Sequence, residues 1–299
     1  MKSRFLFFTS IIFFSFFSCN STQTKEVIVD FADTADLAEH YSKPEETPAF
    51  VAVSAMTSPS ETFKQYHELL NYISKKVGRH FFFKQKKDYD QVNKMLINSE
   101  VDFAFICSGA YVEPDLKESV KILVVPVIDG SCYYQAYIIV NKNSNINTFE
   151  ELKFKTFAYT DPLSQTGRKY PKYLLKQLDY TEKIFFSKII YTAGHDISIQ
   201  MINKGLVEGA SVNSLIYNYI AKNTPENVKN IKIIDKSEFY GVPPVVYPKT
   251  LSEKNVEIYR KVFLDMHKDS LGKKILAKLM IEKYIFSEDT LYDNTKIED

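Results

Sequence analysis

Strand and helix alternate along this chain in two separate series, and an α/β fold in two lobes is expected from them. Residues 49–106 run strand, helix, strand, helix, strand. A second series of the same kind occupies residues 156–235. In both, a helix start follows nearly every strand, as in parallel sheets joined by crossover helices.

The elements follow in order. Ala49-Phe50-Val51-Ala52-Val53-Ser54 is an apolar run of strand length. Ser58, Pro59 and Glu61 then give a capping residue, a first-turn proline and the spacing of a capping box. Phe63, Tyr66, Leu69, Leu70, Ile73 and Val77 recur at helical spacing until Gly78. Residues 80–84 form the next strand, 89–97 a helix, and 101–106 a strand ending in Cys107-Ser108-Gly109. Residues 121–127 and 133–141 are strand-like, and the second carries the chain across to the other lobe. Thr148 caps a short helix ending at Leu152, and 156–159 is a strand. Ser164 opens a helix through Leu178, 188–191 is a strand, and His195-Asp196 opens a helix through Lys204. Strand 209–212, helix 215–222 and strand 231–235 complete the series. Val245 begins the return, and two helices, over 252–268 and 270–282, close the chain.

The chain has 299 residues, 45% hydrophobic and 25% charged, which excludes wholesale disorder and a multi-pass membrane protein. Its net charge of +1 leaves no footprint for nucleic acid. Lys2 and Arg4 precede an apolar stretch, residues 5–17, too short for a permanent span. The pattern is that of a secretory signal. Its exit, Ser18-Cys19, resembles a bacterial lipobox, although Phe16 stands where Leu is common. Residues 1–18 are therefore expected to be a lipoprotein signal, cleaved before Cys19, whose thiol takes lipid. An ordinary signal peptide with an incidental cysteine is the alternative. The expected location is exported and lipid-anchored to a bacterial membrane, with no other membrane contact. Residues 19–48 form a polar, proline-interrupted tether, in which 27–31 could be a small strand.

Cys107 and Cys132 remain in an oxidising compartment, where a disulfide is permitted but not fixed by sequence. The five histidines fall in no ligand spacing, so neither a metal site nor a cofactor is expected.

Four strand-to-helix turns concentrate uncharged donors: Ser54-Ala55-Met56-Thr57-Ser58, Cys107-Ser108-Gly109-Ala110-Tyr111, Asp161-Pro162-Leu163-Ser164-Gln165-Thr166-Gly167, and Thr192-Ala193-Gly194-His195-Asp196. Hydroxyls and backbone N–H groups at helix N-termini can surround an oxyanion without a Lys or Arg clamp. Any one turn by itself reads more readily as a plain helix cap. Four together, two to a lobe, point to a ligand at the carboxyl ends of the strands.

Through these turns, together with Val101-Asp102-Phe103-Ala104-Phe105-Ile106 and Tyr170-Pro171, residues 49–290 resemble the periplasmic substrate-binding proteins of phosphate, phosphite and phosphonate ABC transporters. The resemblance implies a two-lobe type II periplasmic binding protein fold with two interlobe crossovers and a ligand in the cleft. With crossings near Tyr137 and Val242, lobe one would be residues 49–136 plus 240–299, and lobe two 137–239. It implies that Ser164, Thr166, the Gly167 amide and His195 hold the phosphorus oxygens, with Gln165 and Asp196 beside them. Ser108, Tyr111 and Thr57 would close from the other lobe. The partners implied are a small phosphorus oxyanion and an ABC transporter permease, the protein itself being a monomer and not an enzyme. Many relatives carry an acidic residue after the strand at 209–212, where this chain has Asn213-Ser214. An unpaired buried ammonium is expensive, so phosphite, phosphate or methylphosphonate fits better than an aminoalkyl phosphonate.

Two rivals stand beside the importer component. A sensory lipoprotein would use the same fold and ligand class. A phosphoester hydrolase could draw Asp161, Ser164 and His195 as a triad, but no G-x-S-x-G elbow is present. His195 could donate to an oxyanion either neutral or protonated, and a bound anion would favour the charged form.

Overall fold

In the computed structural model, residues 48–295 are described. The signal, Cys19, the strand expected at 27–31 and nearly all of the tether lie outside the described residues.

β1 (Ala49–Val53) leads to α1 (Pro59–Val77), which Gly78 ends in the left-handed region at φ +75°. β2 (Phe81–Gln85) is followed by α2 (Tyr89–Ile97), whose N-terminus the Asp88 side chain caps by accepting the Gln91 N–H. β3 (Phe103–Phe105) runs into α3 (Ser108–Tyr111) and α4 (Pro114–Ser119), both too short for an apolar repeat to register. Then come β4 (Val120–Val127), β5 (Tyr133–Tyr134) and β6 (Ala136–Asn141). β7 (Thr156–Tyr159) passes into a π-helical turn, Gln165–Lys169, continued by α5 (Tyr170–Gln177) and α6 (Glu182–Phe185). β8 (Lys188–Tyr191), α7 (His195–Asn203), β9 (Gly209–Asn213), α8 (Ser214–Asn223) and β10 (Ile231–Lys236) follow. β11 (Tyr240–Gly241) and β12 (Val245–Pro248) return the chain to α9 (Glu253–Asp265), α10 (Ser270–Lys278), β13 (Lys283–Ile285) and a last 3-10 turn, Asp289–Thr295.

Two sheets result. One has the order β13-β4-β12-β3-β1-β2, the other β10-β6-β9-β7-β8. Each is parallel through one trio of strands, β3-β1-β2 and β9-β7-β8, as the strand–helix alternation requires. Next to that trio each accepts an antiparallel strand, β12 or β6, which has just arrived from the other lobe. These are the two crossovers of a type II binding-protein fold. They lie side by side, because β5 and β11 pair antiparallel with Tyr134 opposite Tyr240.

The strand expected over 133–141 is broken at Gln135. Its N–H donates to the Ser214 hydroxyl at 3.0 Å, and its carbonyl accepts the Ser214 N–H at 3.0 Å. With both backbone groups taken by a helix start, that residue cannot join a ladder. The capping box expected at Ser58 is also absent, since its side chain caps nothing and its N–H goes to Asp196, 138 residues away. Near Thr148 the roles are reversed: the Glu151 side chain accepts the N–H groups of Asn147 and Thr148.

Leu69, Ile73, Tyr259 and Phe263 bury one face of the six-stranded sheet, with Val92, Met95 and Leu96 on the other. Ile199, Ile202, Ala210 and Val212 do so for one face of the five-stranded sheet, and Phe157, Phe185 and Phe186 for the other. Among the described residues Cys107 and Cys132 are free thiols, so the disulfide left open by the sequence is not formed. No helix of the described residues is long and apolar enough to cross a membrane.

Candidate functional site

The carboxyl ends of β1, β2 and β3 face those of β7, β8 and β9, and the Ser/Thr/Gly turns meet there. The centre is the turn after β7. Ser164 caps the π-helical turn, its Oγ accepting the Gly167 N–H at 2.9 Å. His195 Nε2 lies 3.5 Å from the same Oγ. His195 Nδ1 receives the Asn213 N–H at 3.2 Å and stands 3.0 Å from Thr160 Oγ1. A ring nitrogen that accepts a backbone N–H carries no proton, so the hydrogen of the neutral ring sits on Nε2, aimed at Ser164. Burial lowers the His195 pKa to about 3. The protonation state that the sequence left open is therefore neutral, with a fixed tautomer, and the cationic form expected beside an anion would sacrifice the Asn213 bond.

Ser164, Gln165, Thr166 and His195 are each 0% exposed. Among the described residues Thr166 Oγ1 and both amide atoms of Gln165 have no hydrogen-bond partner, nor do Ser54 Oγ at the end of β1 and Asp196 Oδ2 at the start of α7. Unpaired buried polar atoms are few in native proteins, and a cluster of them calls for an explanation. Gly167 is required by its surroundings: a Cβ there would stand 2.6 Å from Thr160 Cβ and Oγ1. The two cations that follow the turn are both engaged, Arg168 with Glu182 and Lys169 with Glu113. The donors of this turn are therefore uncharged.

From the other lobe the Met56 carbonyl accepts the His195 N–H at 2.9 Å, and the Ser58 N–H donates to Asp196 Oδ1 at 2.8 Å. Thr57 stands beside them, with its hydroxyl 2.9 Å from that of Thr62. Gly109 packs directly on the backbone of residues 163–165. The Ser108 hydroxyl, one residue earlier, pairs with Tyr134 at 2.7 Å. Tyr111 is not brought to the turn: its hydroxyl donates to Asp289 and its ring packs on Tyr292. Tyr89, fully buried at the start of α2, faces Ser164 across the seam. Sequence reasoning passed over Tyr89, although Asp88-Tyr89 opens a helix after β2 just as the other turns do. It also passed over Thr160, and it named Ser54 only as part of its donor turn.

A triad is not assembled. Asp161 accepts the N–H groups of Leu163 at 2.8 Å and Tyr89 at 3.1 Å, while His195 Nδ1 is served by Asn213 and Thr160. With no carboxylate on its ring, His195 lacks the partner that would stabilise an imidazolium.

A cavity of about 230 Å³ opens between the lobes beside this centre. Ser54, Thr57, Asp196 and Asn213 line it, among apolar residues such as Met56 and Ile216. Ser164, Thr166 and His195 do not line it and are sealed in the closed seam.

The sequence profile described as "ABC transporter, phosphonate, periplasmic substrate-binding protein" matches residues 51–292. The phosphonates-binding periplasmic protein of Escherichia coli K12 is 25% identical over 248 residues, covering 81% of this chain and 73% of that protein. Among solved structures, the binding protein component of an ABC phosphonate transporter from Pseudomonas aeruginosa superposes with TM-score 0.77 at 22% identity, covering 82% of this chain and 83% of that one. A Prochlorococcus marinus protein solved in complex with methylphosphonate gives TM-score 0.74 at 19% identity, covering 82% and 94%.

Proposed function

Since the chain belongs to the periplasmic substrate-binding proteins of ABC phosphonate transporters, we propose that it captures a small phosphorus oxyanion at the Ser164–Gly167 turn and delivers it to the permease. It is a binding protein, as its relatives are, and not an enzyme. The observation that carries the ligand reading is the unpartnered, fully buried Thr166 hydroxyl beside the ordered Ser164–His195 pair. Ser164 Oγ already accepts from Gly167, and His195 Nε2–H is aimed at it, so a ligand oxygen would take the serine hydrogen in competition with the Tyr89 hydroxyl across the seam. Thr166 adds a second O–H donor two residues on. Such donors suit an oxyanion, which accepts hydrogen bonds through every oxygen. Gln165, Thr57, Ser108 and Asp196 stand around that turn and complete the site.

Phosphite, phosphate and methylphosphonate are the ligands this donor set fits, and the complex of the similar Prochlorococcus protein supports the last of them. Asn213 spends its side-chain oxygen on the N–H groups of Leu215 and Ile216, and it brings no charge for an ammonium. Export is the family's location, and lipid on Cys19 would keep a monomeric protein at the membrane.

Isothermal titration with phosphite, phosphate, methylphosphonate and 2-aminoethylphosphonate tests the reading. At least one of the first three should bind more tightly than the aminoalkyl compound. Absence of binding by all four would overturn it. Separately, Cys19→Ala should release the protein from membranes with its affinity unchanged, and a mature N-terminus elsewhere would refute the anchor.

A further inference from the structure

The contacts across the seam repeat one design twice. On one side Asp161, 3% exposed and carried by the turn after β7, reaches into the other lobe and accepts the Tyr89 N–H, the first of α2. On the other side Asp196 accepts the N–H of Ser58, the N-cap residue just before α1. Each carboxylate thus supplies negative charge to a helix N-terminus of the opposite lobe, where it is favourable. Each is accompanied by a glycine at the point of closest approach. A Cβ on Gly109 would stand 2.5 Å from Gln165 N and from Leu163 O. A Cβ on Gly194 would stand 2.7 Å from Asp196 Oδ1 and 3.2 Å from Ser58 N. For Gly109 the opposing atoms are backbone, which cannot swing aside as a side chain does. Lys169, immediately after the oxyanion turn, adds a third link by donating to the Gly109 carbonyl at 3.0 Å and to Glu113 Oε1 at 2.7 Å.

We propose that Asp161, Asp196 and the Lys169–Glu113 pair form a closure clasp, permitted by Gly109 and Gly194, that holds the lobes together through protein–protein contacts. The clasp residues position the oxyanion turn and set how long a ligand is retained. The atoms nearest a Cβ on Gly109 all belong to the opposite lobe, so a methyl group there penalises the closed state and spares the fold of each lobe. The clasp bonds join protein atoms to protein atoms and need no ligand atom, so they weight the equilibrium toward closure. The link to retention rests on the oxyanion-binding reading above, whereas the link to closure does not.

The test uses the full mature chain with Gly109→Ala, Lys169→Met, Glu113→Gln and the Lys169→Met/Glu113→Gln double variant, and methylphosphonate as probe. Small-angle scattering of the empty proteins should show Gly109→Ala more expanded than the parent, with its melting temperature close to the parent's. Equal radii of gyration would overturn the clasp, whatever the ligand result. In stopped-flow measurements Gly109→Ala should dissociate methylphosphonate at least tenfold faster. Lys169→Met and Glu113→Gln should each raise the off-rate by roughly three- to tenfold, as expected for a half-buried pair, and the double variant should be no worse than either. Additive effects, or changes confined to the on-rate, would overturn the role of the pair. A parent that binds none of the phosphorus oxyanions would sink the functional reading and leave the scattering result standing.

Discussion

Replacing Thr166 by Val separates a ligand site from a helix cap by the sign of its effect. The two side chains are nearly isosteric, and the site is 0% exposed, so the change removes one hydroxyl and little else. That hydroxyl has no hydrogen-bond partner among the described residues. Burying an unpaired polar group costs about 1–3 kcal/mol, so the empty protein should gain stability by about that amount. At roughly 2–4 °C per kcal/mol for a domain of this size, the melting temperature should rise by about 2–12 °C. If Thr166 Oγ1 donates to a charged oxygen of the ligand, the lost bond is worth about 1.5–3 kcal/mol, and affinity should fall by roughly 10- to 150-fold. Ser164→Ala is the contrast. Its hydroxyl accepts the Gly167 N–H, so the empty protein should lose about 1 kcal/mol while affinity also falls. Thermal unfolding without ligand and titration with methylphosphonate measure both quantities on the same samples. A Thr166→Val protein that is less stable, or that binds as tightly as the parent, would refute the assignment.

Two further outcomes follow from the same turn. His195 titrates near 6.5 when unfolded and about 3 when folded, so its contribution to stability is complete above the unfolded value and is lost as pH falls below it; between about pH 7.5 and pH 5 the parent should lose about 2 kcal/mol that His195→Gln does not, visible as a steeper fall of melting temperature with acid, and parallel curves would place the ring elsewhere. Gly167→Ala drives a methyl into Thr160, the partner of His195 Nδ1, and should destabilise by about 1–3 kcal/mol and weaken binding, so wild-type affinity in that variant would contradict the packing.

Features of local origin were legible in the order of residues alone. α1 could be drawn from Pro59 to Gly78 because its start, apolar stripe and left-handed stop all lie within one segment. The strand–turn–helix alternation implied both parallel trios, since a crossover helix leaves little choice of topology. The donor turns stood out because four of them occur together, two to a lobe, and the phosphorus-oxyanion class came from the family resemblance that they carry. α3 and α4 escaped notice because one or two turns hold no period.

Packing settled whatever depends on groups far apart in the chain. Ser58 lost its capping box to Asp196, and Gln135 left its strand for Ser214, because each found a better-placed partner from another segment. The tautomer of His195 follows from one backbone N–H, that of Asn213, supplied by a different strand end. Tyr111 was drawn off the cleft by Asp289 in the last turn of the described chain. Gly109 matters because residues 163–165, far away in the chain, pack against it. Hydrogen-bond partners inside a protein are chosen by proximity in space, and residue order sets that proximity only through the whole fold.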